Sequence, residues 1–152
     1  LCIILFRFLQ TFKPTSEMVH NYSLRVRYGD TDQMRRVHHA AFLHYLETAR
    51  IEMLRDLGWP YAEIEAQGFF LPVIDVSIQY KKAVMYDDVL EIQTSVAASG
   101  LLRLNFTYKL LVSNECVATA CVQLVCIANP SLRPKPLPEG LVNSIESGEF
   151  KS

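Results

Sequence analysis

The hydrophobic and polar positions of the chain change their period near residue 40. Between residues 22 and 28 they alternate, with Tyr22, Leu24, Val26 and Tyr28 on one face, which predicts a half-buried strand. From about residue 40 to residue 57 the apolar residues recur at helical spacing, and Gly58 then ends the helix. The predicted core positions of this helix are Phe42, Leu46, Ala49 and Met53, flanked by Leu43, Tyr45, Leu54 and Leu57.

Strand patterns dominate the second half of the chain. A short helix is predicted first, over residues 60–67, because proline suits a first helical turn and Gly68 suits the exit. Long runs rich in Val, Ile, Leu and Tyr then predict strands at residues 69–80, 89–98, 103–112 and 116–128. Short turns between them indicate antiparallel neighbours, and four prolines between residues 129 and 138 end the ladder. The pattern predicts an α+β fold in which a curved antiparallel sheet wraps a long central helix.

The length of 152 residues is typical of one domain with a substantial core. We expect that domain to cover residues 19–138, preceded by a poorly ordered extension at residues 1–18 and followed by a C-terminal tail at residues 139–152. Hydrophobic residues make up 50% of the chain and charged residues 20%, as in ordinary globular proteins.

Charge and cysteine usage exclude several classes of protein. The net charge of -1 provides no broad positive field for nucleic acid. The apolar residues 1–9 are interrupted by Arg7 and are too short to span a bilayer, so no stable membrane insertion is expected. No CxxC spacing occurs, which favours reduced, buried thiols in a cytoplasmic protein. The four cysteines are Cys2, Cys116, Cys121 and Cys126.

The chemistry-bearing residues cluster where the first strand gives way to the helix. Asp30 and Asp32 lie in the turn, and the helix begins near His39. The first N–H groups of a helix have no helical partner and lie at the positive end of its dipole, so they can bind an oxyanion. A carboxylate facing such a helix start predicts a hydrolytic site.

These residues also carry a resemblance to a known family. The segment at residues 25–47 contains Thr31-Asp32 and His38-His39, and it runs into the sequence ETARIE. Further matching segments, WPYAEIEAQG at residues 59–68, FLPV at 70–73 and YKKAVMYDDVL at 80–90, follow in the same order. Over residues 22–128 the chain resembles the hotdog-fold acyl-CoA thioesterases of the 4-hydroxybenzoyl-CoA thioesterase type.

The resemblance implies a role for each matching residue. Asp32 matches the catalytic carboxylate, which acts as a base on water or as a nucleophile. His39 matches the residue whose backbone N–H polarises the thioester carbonyl. Tyr28 matches a tyrosine beside the carboxylate, although packing of its ring in the core is an equal alternative. The family also implies an acyl-CoA substrate, no cofactor, and a homodimer or homotetramer with active sites between subunits.

Two basic pairs suggest how such a substrate is held. Arg35 and Arg36, and Lys81 and Lys82, are candidates for contacts with CoA phosphates, against the alternative of solvated surface charge. The arginine pair stands where relatives have a glycine and an aliphatic residue. Either the loop is remodelled or its glycine is dispensable, so a non-catalytic module that binds acyl thioesters or acyl carriers is the alternative function.

Other readings of the acidic and histidine residues are structural. Asp30 is expected to bond backbone groups in the turn, and Glu47 to pair with Arg50 on the helix. His38, His39 and His44 lack the i, i+4 spacing of a helical metal site, and neighbouring histidines are expected to diverge. We therefore expect no metal. The histidine and acid arrangements of hotdog hydratases and dehydratases are not found in the sequence.

Overall fold

The computed structural model of the chain describes residues 18–150. Its larger sheet contains β1 (His20–Arg25), β3 (Val73–Tyr80), β4 (Val89–Ser99), β5 (Arg103–Val112) and β6 (Glu115–Val125). These strands are antiparallel and follow the order β1-β4-β5-β6-β3, so β1 and β3 form the two edges. A smaller sheet pairs β2 (Phe69–Phe70) with β7 (Ile127–Ala128).

The long helix α1 (Ala41–Asp56) packs against the sheet and supplies much of the core. The prediction of this helix is confirmed to within one residue at each end. Seven of its eight predicted apolar positions are buried, and only Leu43 is exposed. A shorter helix, α2 (Tyr61–Ala66), follows it. The α+β class and the curved antiparallel sheet predicted from the sequence are confirmed.

Two predicted strands are in fact broken. The run at residues 69–80 divides at Pro72, which has no N–H to donate to a ladder, so β2 pairs with β7 while β3 joins the larger sheet. The run at residues 116–128 divides at Cys126, between β6 and β7. The first strand ends at Arg25 instead of Tyr28, which lies in a 3₁₀ turn (Tyr28–Asp30).

A third helix lies in the segment that the sequence pattern assigned to a C-terminal tail. This helix, α3 (Glu139–Ser147), places Leu141 and Ile145 in the main core. The Trp59 indole N–H donates to Ser144 Oγ at 3.1 Å and joins α3 to the segment before α2. The predicted extension at residues 1–18 lies outside the described residues, apart from Met18, which is buried.

The cysteines differ from the prediction that all are buried. Cys126 is buried and Cys116 half-buried, but Cys121 is exposed, and Cys2 lies outside the described residues. These three described cysteines have free thiols, and the cytoplasmic location remains a prediction. Among residues 18–150, no helix has both the length and the apolar character needed to cross a bilayer.

Candidate active site

The loop between β1 and α1 is closed by hydrogen bonds of Asp32. The Asp32 N–H donates to the Arg36 carbonyl at 2.8 Å, and Asp32 Oδ1 accepts the N–H of Met34 at 2.8 Å. The Arg36 N–H approaches the same oxygen at 3.4 Å. Asp32 therefore fixes the loop through one carboxylate oxygen, while Oδ2 has no hydrogen-bond partner within the described residues. That free oxygen is available to act on a ligand.

The unusual arginine in this loop keeps the backbone conformation that glycine favours. Arg35 has a φ of 60°, in the left-handed region, and its N–H donates to the Asp32 carbonyl at 2.9 Å. A side chain in this conformation costs about 1–2 kcal/mol. Of the two alternatives left open by the sequence, a positive φ at Arg35 favours a dispensable glycine over a remodelled loop.

Within the described residues, the start of α1 leaves the His39 N–H free. The His38 N–H donates to the Asp30 carbonyl at 2.8 Å, and the Ala40 N–H donates to His38 Nδ1 at 3.2 Å. Between them, the His39 N–H has no acceptor in the part of the chain that the structure describes. The two histidine rings do not diverge as expected, since their centroids lie 4.1 Å apart at an interplanar angle of 33°.

Asp30 connects the loop to the helix. Its carboxylate accepts hydrogen bonds from the Tyr45 hydroxyl at 2.9 Å and from the Arg27 guanidinium at 3.2 Å. Burial raises the pKa of Asp30, but these hydrogen bonds and the Arg27 charge outweigh it and hold the pKa below its usual value. Burial and the Asp30 carboxylate raise the pKa of Tyr45, which remains a protonated donor. Asp30 therefore has a structural role, but its carboxylate bonds the side chains of Arg27 and Tyr45 instead of the backbone groups of the turn that the sequence analysis expected.

A single cavity of about 350 Å³ brings most of the predicted residues together. It is lined by Asp32, His39, Arg36, Lys81 and Lys82, which come from the loop, the helix start and the segment after β3. Its remaining walls are Met34, Val37, Phe42, Tyr80, Ala83 and Val84. Three cations and one carboxylate therefore share a pocket with apolar walls.

Two of the predicted residues lie elsewhere. Arg35 does not line the cavity. Tyr28 is 79% exposed, with its ring against Tyr86 at a centroid distance of 5.6 Å, so the alternative that it packs in the core is wrong. Its catalytic role remains a prediction. Lys82 lines the cavity but also forms an ion pair with Glu115.

The sequence analysis missed the aromatic wall of the cavity. The Tyr80 hydroxyl donates to the His39 carbonyl at 3.0 Å, and the Tyr80 ring meets Phe42 edge to face at 5.1 Å. Tyr80 occupies the last position of a strand, and nothing in a strand pattern indicates which distant backbone group its hydroxyl reaches.

A second groove, the α1–β3 groove, has a volume of about 220 Å³ and is lined by residues of α1, β3 and β6. The Glu47–Arg50 ion pair predicted on the helix is confirmed, at 3.4 Å, and both residues line this groove. Arg50 is buried and its Nε has no hydrogen-bond partner among residues 18–150. The other lining residues are Leu43, His44, Leu46, Val73, Val76 and Val122.

Comparison with known proteins assigns this architecture to a family. The sequence profile of the Thioesterase-like superfamily matches residues 26–145, which is more than half of the chain. The chain is 31% identical to the acyl-CoA thioester hydrolase YbgC of Escherichia coli O6:H1 over 131 residues, covering 86% of this chain and 94% of that protein. It is 31% identical over 123 residues to the 1,4-dihydroxy-2-naphthoyl-CoA hydrolase of Synechococcus elongatus, covering 76% and 87%.

The fold of the chain also matches solved structures. The 1,4-dihydroxy-2-naphthoyl-CoA thioesterase Slr0204 from Synechocystis superposes with a TM-score of 0.79 at 25% identity, over 84% of this chain and 95% of that one. The protein TT1821 from Thermus thermophilus superposes with a TM-score of 0.80 at 29% identity, over 88% and 100%.

The Asp30 network predicts a pH-dependent contribution to stability. Because the folded-state pKa of Asp30 lies below its unfolded value, this contribution is fully present above the unfolded pKa of about 3.9 and is lost as pH falls through the folded pKa. Asp30→Asn is expected to lower the free energy of unfolding by about 1–2 kcal/mol at pH 7. The difference from wild type should shrink below about pH 4, measured by urea unfolding at several pH values.

Glu146→Gln, an exposed change on α3, serves as the control and should have little effect at any pH. A loss for Asp30→Asn that stays constant from pH 7 to pH 3.5 would contradict the charged hydrogen-bond network.

Proposed function

Because the chain belongs to the Thioesterase-like superfamily and is a hotdog-fold acyl-CoA thioesterase, we propose that it hydrolyses the thioester in the cavity of Asp32 and His39. Asp32 acts as base or nucleophile, and the His39 N–H polarises the carbonyl. The observation that carries the proposal is the shared cavity: it is lined by Asp32, which has an unengaged carboxylate oxygen, and by His39, whose N–H has no acceptor among residues 18–150.

The role proposed for Asp32 follows from the bonds and charges that form during thioester hydrolysis. Attack on the thioester carbon places negative charge on the carbonyl oxygen, where a fixed N–H donor stabilises it. Asp32 either takes a proton from the attacking water or attacks the carbon itself to form an anhydride that water then opens. Both routes release the free acid and the CoA thiol, and both remain open.

The cations of the cavity provide the contacts proposed for CoA. Arg36, Lys81 and Lys82 line it within reach of the same ligand, and phosphates are dianionic or monoanionic groups that such side chains bind. Lys81 has no ion-pair partner in the described part of the chain, whereas Lys82 is shared with Glu115. Lys81 and Arg36 therefore carry more of the proposed contact, and Arg35 carries less because it lies outside the cavity.

A homodimer is proposed through β3. This strand is a sheet edge whose outer N–H and C=O groups face no partner strand among residues 18–150. It also exposes Val73, Ile74, Val76 and Tyr80, each by 40–49% of its surface. Apolar edge strands invite pairing with another copy. Pairing along β3 would place a second subunit over the α1–β3 groove, next to the cavity.

The alternative of a non-catalytic binding module rested on the arginine pair. Because Arg35 retains the left-handed backbone conformation, the substitution leaves the carboxylate loop closed, and no observation favours a loss of turnover. Binding of acyl-CoA without hydrolysis by the wild-type chain would identify that alternative.

Asp32→Asn tests the catalytic role. The amide oxygen can still accept the Met34 N–H, so the loop should fold, but the base or nucleophile is lost. We expect kcat to fall by about 100- to 10,000-fold on a panel of short, long and aromatic acyl-CoA thioesters, measured by release of the CoA thiol.

Asp88→Asn is the matched control, since Asp88 also accepts a loop N–H, from Met85, but does not line the cavity. Wild-type turnover by Asp32→Asn across the panel would refute the role of Asp32.

Lys81→Ala tests the phosphate contact. Its KM for acyl-CoA should rise by roughly 3- to 10-fold at low salt, and the effect should diminish at high salt because exposed charges are screened. The KM for the corresponding acyl-pantetheine, which has no nucleotide phosphates, should be unchanged. Lys109→Ala on β5 is the control. Equal changes for both substrates, or no change for either, would count against the contact.

The dimer is tested by placing a charge on the edge strand. Wild type should sediment with twice the mass of one chain, and Ile74→Lys should sediment as a monomer with reduced turnover, because a buried lysine opposes strand pairing. Leu101→Lys, at an exposed apolar residue outside the sheet edge, should remain dimeric. A wild-type chain that is monomeric while active would rule out a site that needs two subunits.

A further inference from the structure

We propose that Tyr80 is a positioning residue for hydrolysis, because its hydroxyl holds the His39 carbonyl and thereby orients the backbone that presents the His39 N–H. This inference rests on the proposed function, in which that N–H polarises the thioester carbonyl. It gives Tyr80, the last residue of the edge strand β3, an influence on the rate that the sequence pattern of a strand does not indicate.

The hydrogen bond joins two elements that are otherwise separate in the chain. Tyr80 is the last residue of β3, where its backbone pairs with Ala118 of β6, and the next two N–H groups both donate to the Val117 carbonyl. The position of Tyr80 is therefore set by the sheet. Its hydroxyl crosses to the His39 carbonyl at 3.0 Å, immediately before α1.

The ring of Tyr80 is also held in place. It meets the buried ring of Phe42 edge to face, with centroids 5.1 Å apart and an interplanar angle of 76°. This ring contact directs the hydroxyl toward His39 but does not involve the hydroxyl itself. A substitution can therefore remove the hydroxyl and leave the ring contact in place. Burial raises the pKa of Tyr80, so the hydroxyl remains a donor at neutral pH.

The anchors on the two sides of His39 explain why its carbonyl matters. On the preceding side, the His38 N–H is fixed on the Asp30 carbonyl at 2.8 Å. On the following side, the Tyr80 hydroxyl fixes the His39 carbonyl. The His39 N–H lies between these anchors and has no acceptor among residues 18–150. Its peptide is also held through the His38 carbonyl, which accepts the Ala41 N–H at 2.9 Å, so loss of the Tyr80 hydroxyl removes one of the restraints that orient this N–H. An oxyanion donor acts through preorganisation, so loosening it lowers the rate more than the substrate affinity.

Tyr80→Phe is the decisive variant because it keeps the ring contact with Phe42 and removes only the hydroxyl. We expect kcat to fall by roughly 5- to 30-fold while KM stays within about 2-fold, since small displacements of catalytic groups cost rate. Tyr22→Phe, a partly buried tyrosine on β1 at the opposite sheet edge, is the matched control and should keep wild-type kinetics.

A spectroscopic measurement distinguishes positioning from packing. A ketone analogue of acyl-CoA, with CH₂ in place of sulfur and a ¹³C carbonyl, is bound to each variant for infrared difference spectra. The wild-type complex should show the carbonyl stretch shifted to lower frequency by the N–H donor, and Tyr80→Phe should lose much of that shift. A thioether analogue without a carbonyl should bind both proteins equally.

The possible results decide between the inference and the proposed function. Wild-type kcat in Tyr80→Phe, with turnover abolished in Asp32→Asn, would overturn the role of Tyr80 and leave the proposed function intact. A lower kcat with an unchanged carbonyl frequency would also overturn it, because the effect would then be one of packing. Wild-type turnover by Asp32→Asn would remove the proposed function itself.

Discussion

The site depends on the way in which Asp30 holds the carboxylate loop against the first turns of α1. Its carboxylate accepts the Tyr45 hydroxyl from inside the helix, while its carbonyl accepts the His38 N–H just before the helix begins. Asp32 lies two residues after Asp30, and His39 lies one residue after His38, whose N–H bonds the Asp30 carbonyl. A short acidic turn is thereby fixed in relation to a helix start, and Asp32 and His39, the residues that we propose act on the thioester, line one cavity.

The fold supplies the opposite wall of that cavity from an edge strand. β3 ends at Tyr80, which reaches back to the His39 carbonyl, and the chain then passes Lys81 and Lys82 along the cavity rim. The proposed catalytic residues come from the loop and the helix start, whereas two of the three cations and Tyr80 come from the end of the sheet. This division places the edge of β3, where we propose that a second copy pairs, beside the reacting groups.

Much of this arrangement could be read from the sequence. The change of hydrophobic period located the strand and α1. The acidic turn before a helix start indicated where a site could lie, and the family resemblance singled out Asp32 and His39, whose roles remain proposals. What could not be read depends on where the folded chain brings distant groups. Pro72 divides a run that looks continuous, α3 completes the core from a segment read as a tail, and the bonds from Tyr45 and Tyr80 join residues 15 and 41 positions apart. Arg35 shows the limit of a local rule, since the surrounding loop holds it at a positive φ that its residue type disfavours.

The most direct test of the account is a crystal structure of the protein with a ketone analogue of acyl-CoA bound. The account predicts that the analogue carbonyl oxygen lies about 2.7–3.1 Å from the His39 backbone nitrogen. It also predicts that the carbonyl carbon lies about 3–3.5 Å from a carboxylate oxygen of Asp32, or one water molecule further away. A bound carbonyl that contacts neither group, with Asp32 and His39 facing different ligand atoms in every subunit, would contradict it.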